Sequence, residues 1–236
     1  GNLYNPSSLQ GVEREMLLYH FNSITPENIL KPDAMQPTEG NFGFAPADAM
    51  VEFADENDLA AVGHVFAWHQ QTPDWMTSDC TRDEAIQRLR THINTVAGRY
   101  AGKLISWDVV NEAIEDGAKL PENGDWKSCL RKGGWYDAIG DDYIELAFTF
   151  AHEADPNAKL YYNDYNLNDQ NKAEIAAAMF KDLKSKGIPM DGIGMQAHYN
   201  VNLTTEMVER SIQMFEEAGA EISVTELDVT VNGADP

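Results

Sequence analysis

The sequence predicts an α/β fold, a (β/α)8 TIM barrel, with six to seven of its eight βα units carried by this chain. Three observations predict it. Six short runs rich in β-branched and aromatic residues, at 21–25, 61–67, 104–110, 159–163, 192–197 and 221–225, alternate with stretches of helical periodicity. Such alternation implies βαβ units and a parallel sheet. Polar or ionisable residues then fall at the carboxyl ends of successive runs: Glu27 and Asn28, His64, Asn111 and Glu112, Asn163 and Asp164, Gln196 and His198, Glu226. A barrel assembles its site from all of its strand ends at one face. An open doubly wound sheet concentrates its site at one switch point, behind a glycine-rich phosphate turn. Neither GxGxxG nor GxxxxGK[ST] occurs here.

The intervening stretches read as helices because their apolar residues recur at three- and four-residue steps. One stripe is Ala85, Ile86, Leu89, Ile93, Val96, Ala97 and Tyr100, behind the cap Thr81 and the acidic first turn Asp83-Glu84. A second is Tyr143, Leu146, Ala147 and Phe150. The acidic run 137–145 reads as the start of that helix, favoured by its dipole. A third holds Ile175, Met179 and Leu183, and a fourth Val208, Ile212 and Phe215, opened by Thr204. Gly187 and Gly219 stand where the last two should stop. Residues 52–58 read as a solvated acidic face. Gly1 and Asn2 read as the tail of a first strand, and nothing after Val231 supplies an eighth. The expectation is one partial barrel domain over 1–236, ending at 232–236 soon after the last strand.

Composition narrows the function. Of 236 residues, 17 are Lys or Arg and 39 are Asp or Glu, a net charge of −22. A surface so acidic repels nucleic-acid phosphates and anionic membranes, so neither is expected as a partner. No apolar run approaches the length of a membrane span. Cys80 and Cys129 are too few for a disulfide framework, and their spacing neither requires nor excludes pairing. His64 and His69 lie five residues apart in an extended run and face opposite sides, so no metal is expected there and no cofactor is implied. His20, His92 and His152 read as structural or solvated, and Trp107 as a core residue.

Two segments carry the chemistry: Trp107-Asp108-Val109-Val110-Asn111-Glu112 and Val224-Thr225-Glu226-Leu227-Asp228, each an apolar strand ending in a glutamate. Hydrolysis of a glycosidic bond needs two carboxyl groups on opposite sides of the anomeric carbon, one protonated and one ionised. Two strand-end glutamates alone would as readily be salt-bridge partners or metal ligands.

The surrounding motifs are more specific. The first of these segments, together with Gly63-His64-Val65-Phe66-Ala67-Trp68-His69-Gln70-Gln71-Thr72-Pro73-Asp74-Trp75 and Thr225-Glu226-Leu227-Asp228, resembles glycoside hydrolase family 10, the retaining endo-β-1,4-xylanases. So do Thr25-Pro26-Glu27-Asn28-Ile29-Leu30-Lys31-Pro32, Tyr162-Asn163-Asp164-Tyr165-Asn166 and Gly194-Met195-Gln196-Ala197-His198. The six motifs run in family order from Gly1 to about Val231.

The resemblance implies Glu112 as the general acid/base and Glu226 as the nucleophile. The first needs a raised proton affinity, which an apolar setting beside aromatic walls would give; the second must stay ionised. It further implies His198 as a donor to Glu226 with Asp228 orienting it, and Asn111 on the sugar 2-hydroxyl. Glu27, Asn28, Lys31, His64, Trp68 and Gln71 would line the non-reducing side, while Asn163 and Tyr165 would line the leaving-group side, with Gln196 also binding substrate. Xylan or xylo-oligosaccharide is the implied partner, with a secreted location and a complementing chain or accessory carbohydrate-binding domain. Two other classes compete: a binding-only barrel fragment without turnover, and a metal-dependent barrel hydrolase. The first has no need of both glutamates, and the second predicts clustered ligands that the sequence lacks. Carboxyl groups about 5–5.5 Å apart would mean retention, and about 6.5–9.5 Å inversion.

Overall fold

The structure is a computed structural model that describes residues 1–231; the expected tail at 232–236 lies outside the described residues. Seven parallel strands form one sheet: β1 (Asn2–Tyr4), β2 (Ser23–Pro26), β3 (Ala60–Trp68), β4 (Ser106–Asn111), β5 (Lys159–Asp164), β6 (Gly192–Met195) and β8 (Glu221–Val224). They are neighbours in chain order, the +1 progression of a (β/α)8 barrel. All six expected strands are present within one or two residues. Asn2 to Tyr4 extend the anticipated tail into a short first strand, paired with Ile24, Thr25 and Pro26.

Two further strands were not legible. β7 (His198–Asn200) and β9 (Asp228–Thr230) pair in parallel as a separate ribbon, with His198 opposite Asp228. Each has only three residues, too few to show alternation. The expected run to residue 197 ends instead at Met195, and Ala197 takes a left-handed backbone (φ 63°) before β7 begins.

Parallel strands covered on both faces read as unbroken apolar runs. β4 is buried along all six residues but departs from the apolar pattern at Ser106, Asp108 and Asn111. Helices cover the outer face. In Arg82–Arg99 the predicted stripe is buried except for half-buried Ile86, and this helix packs along Tyr143–Ala154. Thr81 closes a full capping box: Glu84 N–H donates to its hydroxyl, and the Glu84 carboxylate accepts from the Thr81 N–H. Gln170–Ser185 packs along Thr205–Ala218, which Gly219 ends in a left-handed conformation. Thr204 precedes that helix without a side-chain cap bond.

Helices Gly11–His20 and Ala45–Glu56 have no counterpart in the sequence expectations. The second contains part of the acidic run 52–58, whose Glu52, Asp55 and Glu56 are exposed as expected while Phe53 and Ala54 are buried. The run 137–145 is not one helix start. Trp135–Ile139 is a separate helix, broken from Tyr143–Ala154 at Gly140 (φ 113°).

Between sheet and helices, fully buried Trp107 stacks on Phe66 at 4.3 Å, and Phe66 meets His92 of the Arg82–Arg99 helix edge-on at 6.5 Å. Trp107 fits there because Gly63 lies opposite it in β3. A Cβ on Gly63 would stand 1.9 Å from a Trp107 ring carbon. Both cysteines are free.

Candidate active site

Strand register sets the site. Trp68 is level with Asn111, Asn111 with Asn163, and Asn163 with Gly194. Four adjacent strands therefore bring Trp68, Asn111 and Asn163 to one height near the carboxyl face, with Gly194 level beside them. One residue beyond β4, Glu112 turns into a left-handed backbone (φ 55°), which an L-residue adopts at a cost of about 1–3 kcal/mol unless its surroundings hold it. Its N–H donates to the Asn163 carbonyl (2.9 Å), and its own carbonyl accepts from Arg131 Nε (3.2 Å).

The Glu112 carboxylate is nearly buried, and its surroundings are more polar than the apolar wall expected. Oε2 accepts from Trp68 Nε1 (2.9 Å). Oε1 accepts from Gln196 Nε2 (2.9 Å) and Asn111 Nδ2 (3.2 Å). Trp68 presents its indole N–H to this carboxylate, and its ring carries Lys31 Nζ 5.0 Å from the centroid.

Glu226 follows β8 and is held by the edge of β6: its N–H donates to the Gln196 carbonyl (3.1 Å). Its carboxylate is more open than that of Glu112, with the side chain about one-third exposed. Oε1 accepts from Asn163 Nδ2 (2.8 Å), and Oε2 lies 3.3 Å from His198 Nε2. His198 Nδ1 in turn lies 2.7 Å from Asp228 Oδ2, so the β7–β9 ribbon delivers a carboxylate–imidazole–carboxylate row.

Amides connect the two glutamates. Asn163 Nδ2 also donates to Asn111 Oδ1 (3.0 Å), which accepts from Gln196 Nε2 as well (3.1 Å). Asn163 Oδ1 accepts from the Thr225 hydroxyl (2.7 Å). Every nitrogen of this bridge that meets a carboxylate donates to it. Asn163 is fully buried with both ends of its amide engaged, so it faces Glu226 and Asn111 rather than the open leaving-group side where the sequence reading sets it. Gly194 makes the room: a Cβ there would lie 2.5 Å from Asn163 Oδ1.

The other predicted residues divide into two groups. Asn28 Oδ1 accepts from Lys31 Nζ (3.1 Å) and Gln71 Nε2 (3.3 Å), which gathers three of them beside Trp68. Burial holds the Lys31 ammonium below its usual pKa, against the charges of Glu226, Glu27, Asp33 and Glu112. His64 is buried, with Nδ1 2.9 Å from Asp108 Oδ2. Tyr165 stands on the other side, where its hydroxyl accepts from Arg131 (2.9 Å) and donates to Asp116 (2.5 Å). Among the described residues no group of three or more His, Cys, Asp or Glu is arranged to hold a metal ion.

Sequence reasoning missed His69, Arg131, Trp135 and Tyr136, which line a small recess beside Glu112. Burial and the Arg131 charge hold the His69 imidazole below its usual pKa. The available signal was Gly133-Gly134 before Trp135: both glycines have positive φ, the mark of a loop turned sharply toward the site.

Comparison with known proteins gives a consistent picture. A β-1,4-xylanase of Dictyoglomus thermophilum is 46% identical over 217 residues, covering 92% of this chain and 59% of that protein. Endo-1,4-beta-xylanase A of Thermoanaerobacterium saccharolyticum is 42% identical over 249 residues, covering 99% of this chain and 21% of its own length. The chain thus spans about three fifths of one curated relative and about one fifth of the other. Among solved structures, TsXylA, an intracellular xylanase from T. saccharolyticum crystallised as a point mutant with xylotriose, superposes with a TM-score of 0.90 at 41% identity, covering 99% of this chain and 74% of that one. An endo-1,4-beta-xylanase from Caldicellulosiruptor owensensis superposes at 0.89 and 42%, covering 97% and 69%. Residues 1–235 match the family described as Glycosyl hydrolase family 10, and the chain belongs to that family.

Proposed function

We propose that the protein cleaves internal β-1,4-xylosidic bonds of xylan by double displacement, with retention of configuration. The carrying observation is the pair of strand-end glutamates joined by the Asn163–Asn111–Gln196 amide bridge. In this reading the more open Glu226 carboxylate attacks the anomeric carbon while Glu112 gives its proton to the departing oxygen. Glu112 then takes a proton from the water that displaces Glu226. His198 and Asn163 hold the nucleophile at its two oxygens, and Asp228 fixes the imidazole. Trp68, Asn28, Lys31 and Gln71, with Glu27 and His64, form the non-reducing side of the cleft, and Tyr165 belongs to the leaving-group side.

The relatives' names support the substrate class, and xylotriose bound to a structural neighbour supports oligosaccharide recognition. Secretion and an accessory carbohydrate-binding domain or complementing chain belong to the same proposal. The deciding experiment measures reducing-sugar release from xylan by the full-length protein and by Glu226→Ala, with proton NMR following the anomer first formed. Release that vanishes in the variant, with the β-anomer appearing first, supports the reading. Binding of xylan without release by the wild-type protein would favour the binding-only alternative.

A further inference from the structure

Beneath Glu112 lies a second polar unit that no step of the proposed reaction uses. The N–H groups of Ala113 and Ile114, the two residues after Glu112, both donate to one atom, the Tyr162 hydroxyl oxygen (3.0 and 3.1 Å). That hydroxyl donates its own proton to Asp164 Oδ2. Asp164 also accepts from the Tyr165 N–H (2.8 Å) and pairs with Lys172 Nζ (2.8 Å) of the Gln170–Ser185 helix. Tyr162 and Asp164 are fully buried and Lys172 nearly so. Burying a carboxylate, an ammonium and a phenol is costly, and a phenylalanine would fill the same space without that cost. What the phenol supplies that a phenylalanine lacks is a donor to Asp164 and a two-fold acceptor for the turn that follows Glu112.

That turn needs holding, because Glu112 itself sits in the left-handed region. With the Glu112 N–H on Asn163 and its carbonyl on Arg131, the Tyr162 hydroxyl completes the constraint on both sides of the residue. We infer that Tyr162, oriented by Asp164 and Lys172, is a positioning residue for the acid/base Glu112: its hydroxyl fixes the turn that aims this carboxyl group at the departing oxygen. The inference rests on the reading of Glu112 given above.

A displaced acid matters only when the departing group needs a proton. The test therefore compares kcat/KM of the full-length wild type and Tyr162→Phe on two aryl β-xylobiosides. One carries 2,4-dinitrophenol, which leaves without help, and the other carries p-methoxyphenol, which does not. The expected result is a loss of about tenfold or more on the methoxyphenyl glycoside, with the dinitrophenyl glycoside within about threefold of wild type. Asp164→Asn, which keeps an acceptor for the phenol, should move both values the same way by less, and it serves if the phenylalanine variant does not fold. Equal losses on both glycosides, or no loss on either, would overturn the positioning role. A wild-type protein inert toward both would overturn the reading of Glu112, and the role of Tyr162 with it.

Discussion

Lowering the pH should destabilise the protein through one buried side chain outside the proposed site. His92 is fully buried on the Arg82–Arg99 helix. Its Nδ1 lies 2.9 Å from Gln36 Oε1, its Nε2 has no hydrogen-bond partner, and the rings of Phe42 and Phe66 stand 6.3 and 6.5 Å away. Burial pushes its pKa down to about 4. The unfolded chain titrates near the ordinary value of about 6.5, so between these limits the unfolded state binds the extra proton. The stability due to neutral His92 is fully present above about pH 6.5 and is lost as pH falls toward 4, a total of about 3 kcal/mol. His92→Phe removes this dependence but leaves Gln36 Oε1 without its donor, at a cost of about 1–2 kcal/mol. Urea unfolding of both proteins at intervals from pH 7 to pH 4 isolates the difference, since all shared titrations cancel. The wild type should be the more stable at pH 7 and the less stable at pH 4. A gap that stays constant across the series would refute the argument.

Asp164 should behave in the opposite sense. Burial, against the neighbouring Lys172 ammonium, raises its pKa to about 6, so its contribution is fully present below about pH 3.8 and is lost as pH rises through 6. Relative to Asp164→Asn, the wild type should lose about 3 kcal/mol over that window, measured by the same urea series. Gly63→Ala places a methyl group against the Trp107 ring between two rigid layers and should cost about 2–3 kcal/mol, a fall in Tm of roughly 5–10 °C by calorimetry. Asn163→Ala removes the donor to Glu226 Oε1 and should lower kcat on xylo-oligosaccharides about a hundredfold while circular dichroism stays unchanged. A loss smaller than about threefold would mean that His198 alone suffices.

What could be read from the sequence follows from where its information is local. β4 announces itself because a short run of aromatic and β-branched residues, Trp107, Val109 and Val110, ending in Asn111-Glu112 fits a buried strand with a polar tip. The Arg82–Arg99 helix does so because Thr81, Glu84 and the stripe from Ala85 to Tyr100 agree. His198 and Asp228 could be named as partners, but the ribbon that joins them could not: it is made by pairing across the site and has no period of its own. The apolar setting expected for Glu112 failed because Gln196 and Asn111 reach it from strand ends whose relative height is a property of the register. Asn163 was set beside the sugar for the same reason. Its neighbours Gly194 and Thr225 lie far along the chain, and only their approach shows that its amide has no free end.

β5 touches both glutamates at once. Tyr162 holds the turn behind Glu112, the Asn163 carbonyl receives the Glu112 N–H, and the Asn163 side chain reaches Glu226. The gap between the two acids is therefore gauged by two consecutive residues of a single strand, as by a fixed spacer, and owes little to the barrel's circumference. Loosening between β1 and β2, at the edge of the sheet away from Glu226, would change the shape of the cleft mouth before it altered that gap.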